Sequence, residues 1–296
     1  MSKAHVLKLR SELKKDLQII HTMEILKQIA VSEFHYLENK RRERSKFLVF
    51  LAAFFHFYKA RRLKDNQFFS SPCRTHALVV VGSDEGFLGA LNSQIIEKAA
   101  KIYEERREDT RVFAVGRRCA RKLLDHGVPC EEFPGVPFPL AYEAVVPLKA
   151  HLVDQYLKQR IGSAYIIHAR CHSFTRQTVE MVRLLPFNIS DVSEAPEGEA
   201  RDLPDYVVVE PAIEHVLEYT IALWLGRCLY EIYWDSKLSE TACRAIELTE
   251  RYETLSRNSL KTRMRYFRAC HEVIDSGIRE VFASHHFFVK NKEEVI

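Results

Sequence analysis

The segment Gly82-Ser83-Asp84-Glu85-Gly86-Phe87-Leu88-Gly89 carries the residue types that most invite chemistry: glycines, two carboxylates and a hydroxyl. Glycines directly after an aliphatic run could let a backbone close on the pyrophosphate of a dinucleotide. The spacing is not Gly-x-Gly-x-x-Gly, and no Gly-Lys-Ser/Thr follows to hold a triphosphate. Asp84 and Glu85 would also repel phosphate oxygens. A tight strand-to-helix turn needs fewer assumptions.

His168, Cys171 and His172 form a second cluster, near the end of an apolar run where a metal could be bound. Three donors without a clear fourth fall short of a zinc set. The pair His285-His286 is weaker still. No Gly-x-Ser-x-Gly elbow, His-Glu-x-x-His or protein-kinase set occurs. The carboxylates are many, and none stands in an obviously apolar setting that would raise its pKa. No catalytic, cofactor-binding or metal-binding residue is therefore assigned. An α/β enzyme with helical extensions, holding a nucleotide or metal at Asp84 or His168, stays open as one reading, and a coiled-coil adaptor as another.

These residues sit on a recognisable alternation. His76-Ala77-Leu78-Val79-Val80-Val81 is an aliphatic run bounded by turn formers, which predicts a strand buried on both faces, as in a parallel sheet. The glycine loop follows it, then a helix over 92–103. A second strand over 112–115 leads to a helix over 118–126 stopped by Gly127. Pro134, Pro137 and Pro139 mark a turn-rich connection before a helix near 141–159. Runs over 164–168 and 178–185 complete a small α/β layer. Residues 191–205 are acidic and poor in large apolar side chains, as a surface loop would be. A short strand over 206–209 and Pro211 then open a long helix.

Both ends of the chain read as long amphipathic helices. The first stripe runs through Val6, Leu9, Leu13, Leu17, Ile20, Met23, Leu26, Ala30, Phe34 and Leu37. Its average step is about 3.4 residues, near the 3.5 repeat of a left-handed supercoil. The second runs through Ala245, Leu248, Tyr252, Leu255, Leu260, Met264, Phe267, Cys270, Ile274, Ile278 and Val281. Charged residues such as Glu247, Arg251, Arg257 and Arg265 lie between, as on a solvated or partner-facing surface. A helix cannot hide such a stripe alone, so helices from the two termini are expected to pair in a rod. Periodicity alone also fits an ordinary helical bundle.

Composition bounds the rest. Apolar residues make up 47% of 296, enough for a substantial core. The richest apolar stretch, over 47–58, is about a dozen residues and too short for a membrane span. The N-terminal residues read as neither signal nor transit peptide. Seven scattered cysteines without a Cys-x-x-Cys pair are expected to be reduced thiols in a cytosolic compartment. The net charge of +4 is spread thinly, and neither Lys40-Arg41-Arg42-Glu43-Arg44 nor Lys59-Ala60-Arg61-Arg62 builds a basic face. No nucleic-acid partner is expected.

Five segments, taken in order, resemble the gamma subunit family of F-type rotary ATP synthases. Thr22-Met23-Glu24-Ile25-Leu26 with Ile29-Ala30-Val31-Ser32 is similar to that family's first-helix segment. Ser83-Asp84-Glu85-Gly86-Phe87-Leu88-Gly89-Ala90-Leu91-Asn92 resembles its Ser-Asp-x-Gly-Leu-Cys-Gly-Gly-Leu-Asn, the most specific match. Leu184-Leu185-Pro186, Tyr206-Val207-Val208-Val209-Glu210-Pro211 and Ser239-Glu240-Thr241-Ala242-Cys243-Arg244 complete the series. Departures mark a divergent or alternative branch: Glu24 where a basic residue is common, Ala245-Ile246 in place of Ala-Met, and Ala283-Ser284-His285-His286 in place of Gly-Gly.

The resemblance implies an antiparallel coiled coil of the N- and C-terminal helices with a central Rossmann-like α/β domain. The expected division is an N-terminal coiled-coil helix over 1–64, the α/β domain over 74–190, an acidic loop over 191–205 and a C-terminal coiled-coil helix over 206–287. The implied role is the central-stalk rotor, coupling ion-driven rotation of a membrane c-ring to ATP synthesis or hydrolysis, without catalysis or cofactor of its own. Implied partners are the alpha and beta subunits of the catalytic ring, an epsilon subunit and the c-ring. The implied location is the cytoplasmic face of the plasma membrane, peripheral through the complex. Coupling contacts are expected at Met23, Glu24 and Lys27 on the first helix and at Arg244, Arg265 and Arg268 on the last.

Overall fold

The computed structural model describes residues 3–41, 55, 68–188 and 212–293. The expected acidic loop over 191–205, the strand over 206–209, Pro211 and most of the apolar stretch over 47–58 lie outside the described residues, as do the side chains of His285 and His286. Among the described residues, no helix is long and apolar enough to cross a membrane. The chain divides into two units, one of Met1–Ile29 with Ile246–Ile296 and one of Ala30–Ala245.

The second unit is built on a five-stranded sheet in the order β3-β2-β1-β4-β5. Its elements are β1 (His76–Val81), α2 (Leu91–Glu105), β2 (Thr110–Val115), α3 (Arg117–Asp125), β3 (Cys130–Phe133), α4 (Val146–Leu157), β4 (Ser163–Ser173) and β5 (Arg176–Leu185). α1 (Lys3–Arg41) and α5 (Ile213–Glu293) run through both units. β1 pairs in parallel with β2 and β4, and β2 with β3, whereas β5 returns antiparallel to β4. The sheet is therefore mixed at one edge. A two-residue connection between β4 and β5 permits only a hairpin.

β3, Cys-Glu-Glu-Phe, had no apolar run to announce it. It is an edge strand whose Glu131 and Glu132 are exposed, so the pairing is fixed by β2 and not by burial. The helix expected near 141–159 shortens because Tyr142–Val145 is a 3-10 turn, and α4 begins with Pro147 in its first turn. The stop of α3 follows its sequence signal. Gly127 takes φ 74°, its N–H donates to Leu124 O and that of Val128 to Leu123 O, which satisfies the helix-end carbonyls.

Strand alternation divides the core of this unit in two. Ala77, Val79 and Val81 face Leu148, Leu152 and Tyr156 of α4, Leu217, Ile221 and Leu225 of α5, and Phe34 and Leu37 of α1. Leu78 and Val80 face Ile95, Ile96 and Ala99 of α2 and Cys119 and Leu123 of α3. The Trp234 indole N–H donates to Leu37 O at 3.2 Å, joining α5 to the end of α1. Burial pushes the Tyr156 phenol up to about 12, so the hydroxyl stays protonated in this apolar layer.

In the first unit, Lys27 Nζ lies 4.7 Å over the Tyr252 ring, and Arg10 acts on Tyr266. A later residue of α1 meets an earlier one of α5, so the helices run antiparallel. The stripes need correction in detail. The inward positions of α1 are Val6, Leu9, Leu13, Asp16, Ile20, Met23 and Lys27, strict alternating steps of four and three, and Leu17 and Leu26 lie off this seam. On α5 the seam passes through Leu248, Tyr252, Leu255, Ser259, Thr262, Tyr266 and Ala269. Beyond Leu255 the large apolar residues point outward: Leu260, Met264, Phe267, Ile274, Ile278 and Val281 are all exposed. A helix pair can bury only one stripe of each member. On α5 that stripe turns small and polar beyond Leu255, where Ser259, Thr262 and Ala269 join Tyr266.

Candidate functional site

The loop after β1 lies at the C-terminal edge of the parallel strands, where α/β folds commonly place their sites. Three consecutive residues in it are spoken for by three different helices. Ser83 exchanges two hydrogen bonds with Asn92 near the start of α2, its N–H donating to Asn92 Oδ1 at 3.2 Å and its carbonyl accepting from Asn92 Nδ2 at 3.4 Å. Asp84 Oδ1 accepts the N–H of Arg118 in the first turn of α3 at 3.1 Å. Glu85, whose N–H is held by Ser83 Oγ at 3.0 Å, reaches the side chains of α5.

Asp84 also fixes the meaning of the nearby glycines. A Cβ at Gly135 would stand 2.2 Å from Asp84 Oδ2, so the turn can approach only without a side chain. The helix N-terminus that could have received a phosphate holds this carboxylate of the same chain. The ligand expected at Asp84 by the enzyme reading would have to displace it.

Glu85 enters a compact group of five charges. Arg244 Nη2 is 2.8 Å from Glu85 and hydrogen-bonded to Glu240, and Arg244 Nη1 is 3.7 Å from Glu33 of α1. Lys237 Nζ is 2.8 Å from Glu240 and 3.5 Å from Glu85. Lys237, Glu240 and Arg244 share one face of α5 because helical neighbours recur at three and four residues. Lys237, Glu240 and Arg244 are buried, whereas the Glu85 side chain is 53% exposed. Burial raises the Glu33 pKa above its ordinary value, Glu85 and Glu240 push it the same way, and Arg244 and Lys237 oppose. Desolvation outweighs the attraction of Arg244.

The other sequence candidates are dispersed. His168 is buried, its Nδ1–H donates to Ala169 O at 3.1 Å, and burial lowers its pKa so that the ring stays neutral. The Cys171 thiol donates to Ser173 O, and His172 Nε2 is hydrogen-bonded to Thr178 Oγ1. Among the described residues, no group of three or more His, Cys, Asp or Glu is placed to hold a metal. Met23, Glu24 and Lys27 are half-buried on α1, Arg265 and Arg268 are exposed on α5, and Arg244 is 7% exposed, inside the charge group.

Sequence reasoning found Arg244 and missed Glu33, Glu85, Lys237 and Glu240 as its partners. The spacing of Lys237, Glu240 and Arg244 was a usable signal. Glu33 and Glu85 come from distant segments and gave none. The reading that no carboxylate stands in a setting that would raise its pKa is corrected by Glu33, which burial raises.

A family model described as ATP synthase matches residues 7–285. The ATP synthase gamma chain of Symbiobacterium thermophilum is 23% identical over 208 residues, 70% of each chain. That of Clostridium pasteurianum is 24% identical over 205 residues, 69% of each. Among solved structures, a chain of the Euglena gracilis mitochondrial ATP synthase, described as OSCP/F1/c-ring in rotational state 3, superposes with a TM-score of 0.68 at 13% identity. The match covers 98% of this chain and 97% of that one. A chain of the Tetrahymena thermophila mitochondrial ATP synthase central stalk and c-ring gives 0.60 at 16% identity, over 78% of this chain and 99% of that one. Two long helices and a mixed α/β sheet, with a family match reaching almost from end to end, place the chain in the ATP synthase family, among its gamma chains.

Proposed function

We propose that the chain turns as the central shaft of an F-type ATP synthase, coupling rotation of a membrane c-ring to nucleotide binding and release in an alpha/beta ring. The observation that carries this is the outward apolar face of α5. Six large side chains from Leu260 to Val281 are exposed while Ser259, Thr262, Tyr266 and Ala269 take the seam positions of the same stretch of α5. Such a face calls for a partner that surrounds the helices. The alpha and beta subunits would supply it, and the c-ring and an epsilon subunit would meet the sheet unit. The complex makes the chain peripheral to a membrane, for which we assign the cytoplasmic face of the plasma membrane.

An asymmetric shaft presents a different side to each of three chemically identical sites. It shifts the conformational equilibrium at each by its differential affinity for open and closed forms, as any ligand would. Met23, Glu24, Lys27, Arg265 and Arg268 are the residues assigned to contact the ring. Arg244 was grouped with them by resemblance. Its burial favours a different task, holding Glu85 and Glu240 within the chain. The division proposed is the one drawn from sequence: terminal coiled-coil helices over 1–64 and 206–287, an α/β domain over 74–190 and an acidic loop over 191–205.

Co-expression with the alpha and beta subunits, followed by size-exclusion chromatography and ATPase assay, tests the reading. One copy per three alpha-beta pairs, with hydrolysis dependent on it, is expected. ATPase activity of this chain alone would favour the enzyme reading, and the absence of any complex would favour an adaptor.

A further inference from the structure

We propose that Glu85 is a releasable clasp that locks the loop after β1 to α5, so that torque on the sheet enters the long helix without slack. This rests on the shaft reading above. The geometry is the three-way tie of consecutive residues: Ser83 to α2 through Asn92, Asp84 to α3 through Arg118, and Glu85 to α5 through Arg244 and Lys237. The first two ties join the loop to the helices that cover one face of the sheet. The third links it to α5, which packs with the opposite face, and α1 reaches the same point through Glu33 and Arg244.

The ties differ in kind. Glu240 sits between Lys237 and Arg244 on α5, and the three hold one another whether or not the loop is present. Glu85 is the exposed member, so it can leave for water while the cations keep a carboxylate. Leaving costs Arg244 its 2.8 Å contact and frees the loop from α5. Glu85 is therefore a positioning residue for coupling, and the fold does not depend on it.

The test uses the assembled complex with alpha and beta subunits, with Glu85→Gln, Glu85→Lys and the charge-conserving Glu85→Asp. A bead on the sheet domain reports angular fluctuation while hydrolysis is blocked, and hydrogen exchange over residues 83–88 reports loop release in the free full chain. Glu85→Gln should retain the wild-type melting temperature and chain-dependent ATPase. Its angular variance and its loop exchange should rise about twofold to fivefold, the range for loss of partly exposed ion pairs. Glu85→Lys should exceed it and Glu85→Asp should fall between. Unchanged exchange in Glu85→Gln would overturn the clasp, and faster exchange with unchanged variance would overturn its role in torque. A wild-type chain that confers no ATPase would instead count against the shaft reading.

Discussion

The two units use the same side-chain chemistry in opposite directions. In Ala30–Ala245 the large apolar residues point inward on both sides of the sheet, and the charges that enter are paired. In Met1–Ile29 with Ile246–Ile296 the seam holds Asp16, Lys27, Ser259 and Thr262, while Leu17, Met264, Phe267 and Ile274 face out. The sheet unit closes its own core. The paired-helix unit leaves its apolar surface for something else to cover, which is what a shaft inside a sleeve requires.

Substitutions in the two units should therefore separate stability from assembly. Leu152→Ala, at a fully buried position under the sheet, should cost about 2–5 kcal/mol in a denaturant titration of the isolated chain. Phe267→Ser should change that stability by less than about 0.5 kcal/mol. It should nevertheless weaken capture by the alpha/beta ring by about tenfold or more, as expected of a large anchor at an interface. Equal losses of stability at both sites would break the contrast.

Asp84→Ala, which strips the first turn of α3 of its anion, should cost about 1–2 kcal/mol and restore no nucleotide binding. Glu33→Gln sharpens the electrostatic part. The folded chain raises the Glu33 pKa, so the wild type is relatively most stable below the ordinary value of 4.5 and loses stability as pH rises through the raised value. Glu33→Gln should melt higher than wild type at neutral pH, and the gap should close near pH 4. Glu247→Ala, which removes one partner of the exposed Arg251 pair, should shift stability by less than about 0.5 kcal/mol.

The aliphatic run of β1 and the glycine stop of α3 were legible in sequence because each is a local signal with a local cause. β3 was not, since an exposed edge strand carries no burial pattern. The helical stripes were read with the right period and partly on the wrong side. Periodicity says that apolar residues share a face, and cannot say whether the helix partner or another protein covers it. At Leu260 and Met264 the other protein is the better account. Arg244 shows a similar limit, because a matched segment identified the residue while its partners Glu33 and Glu85 lie far off in sequence.

The central claim is that this chain rotates within a ring of alpha and beta subunits. The most direct measurement immobilises the ring, attaches a bead to the sheet domain and follows the bead while ATP is hydrolysed. The account predicts rotation in one direction with three dwells per turn, one for each catalytic site. A complex that hydrolyses ATP with full dependence on this chain while the bead only fluctuates about a fixed angle would contradict it.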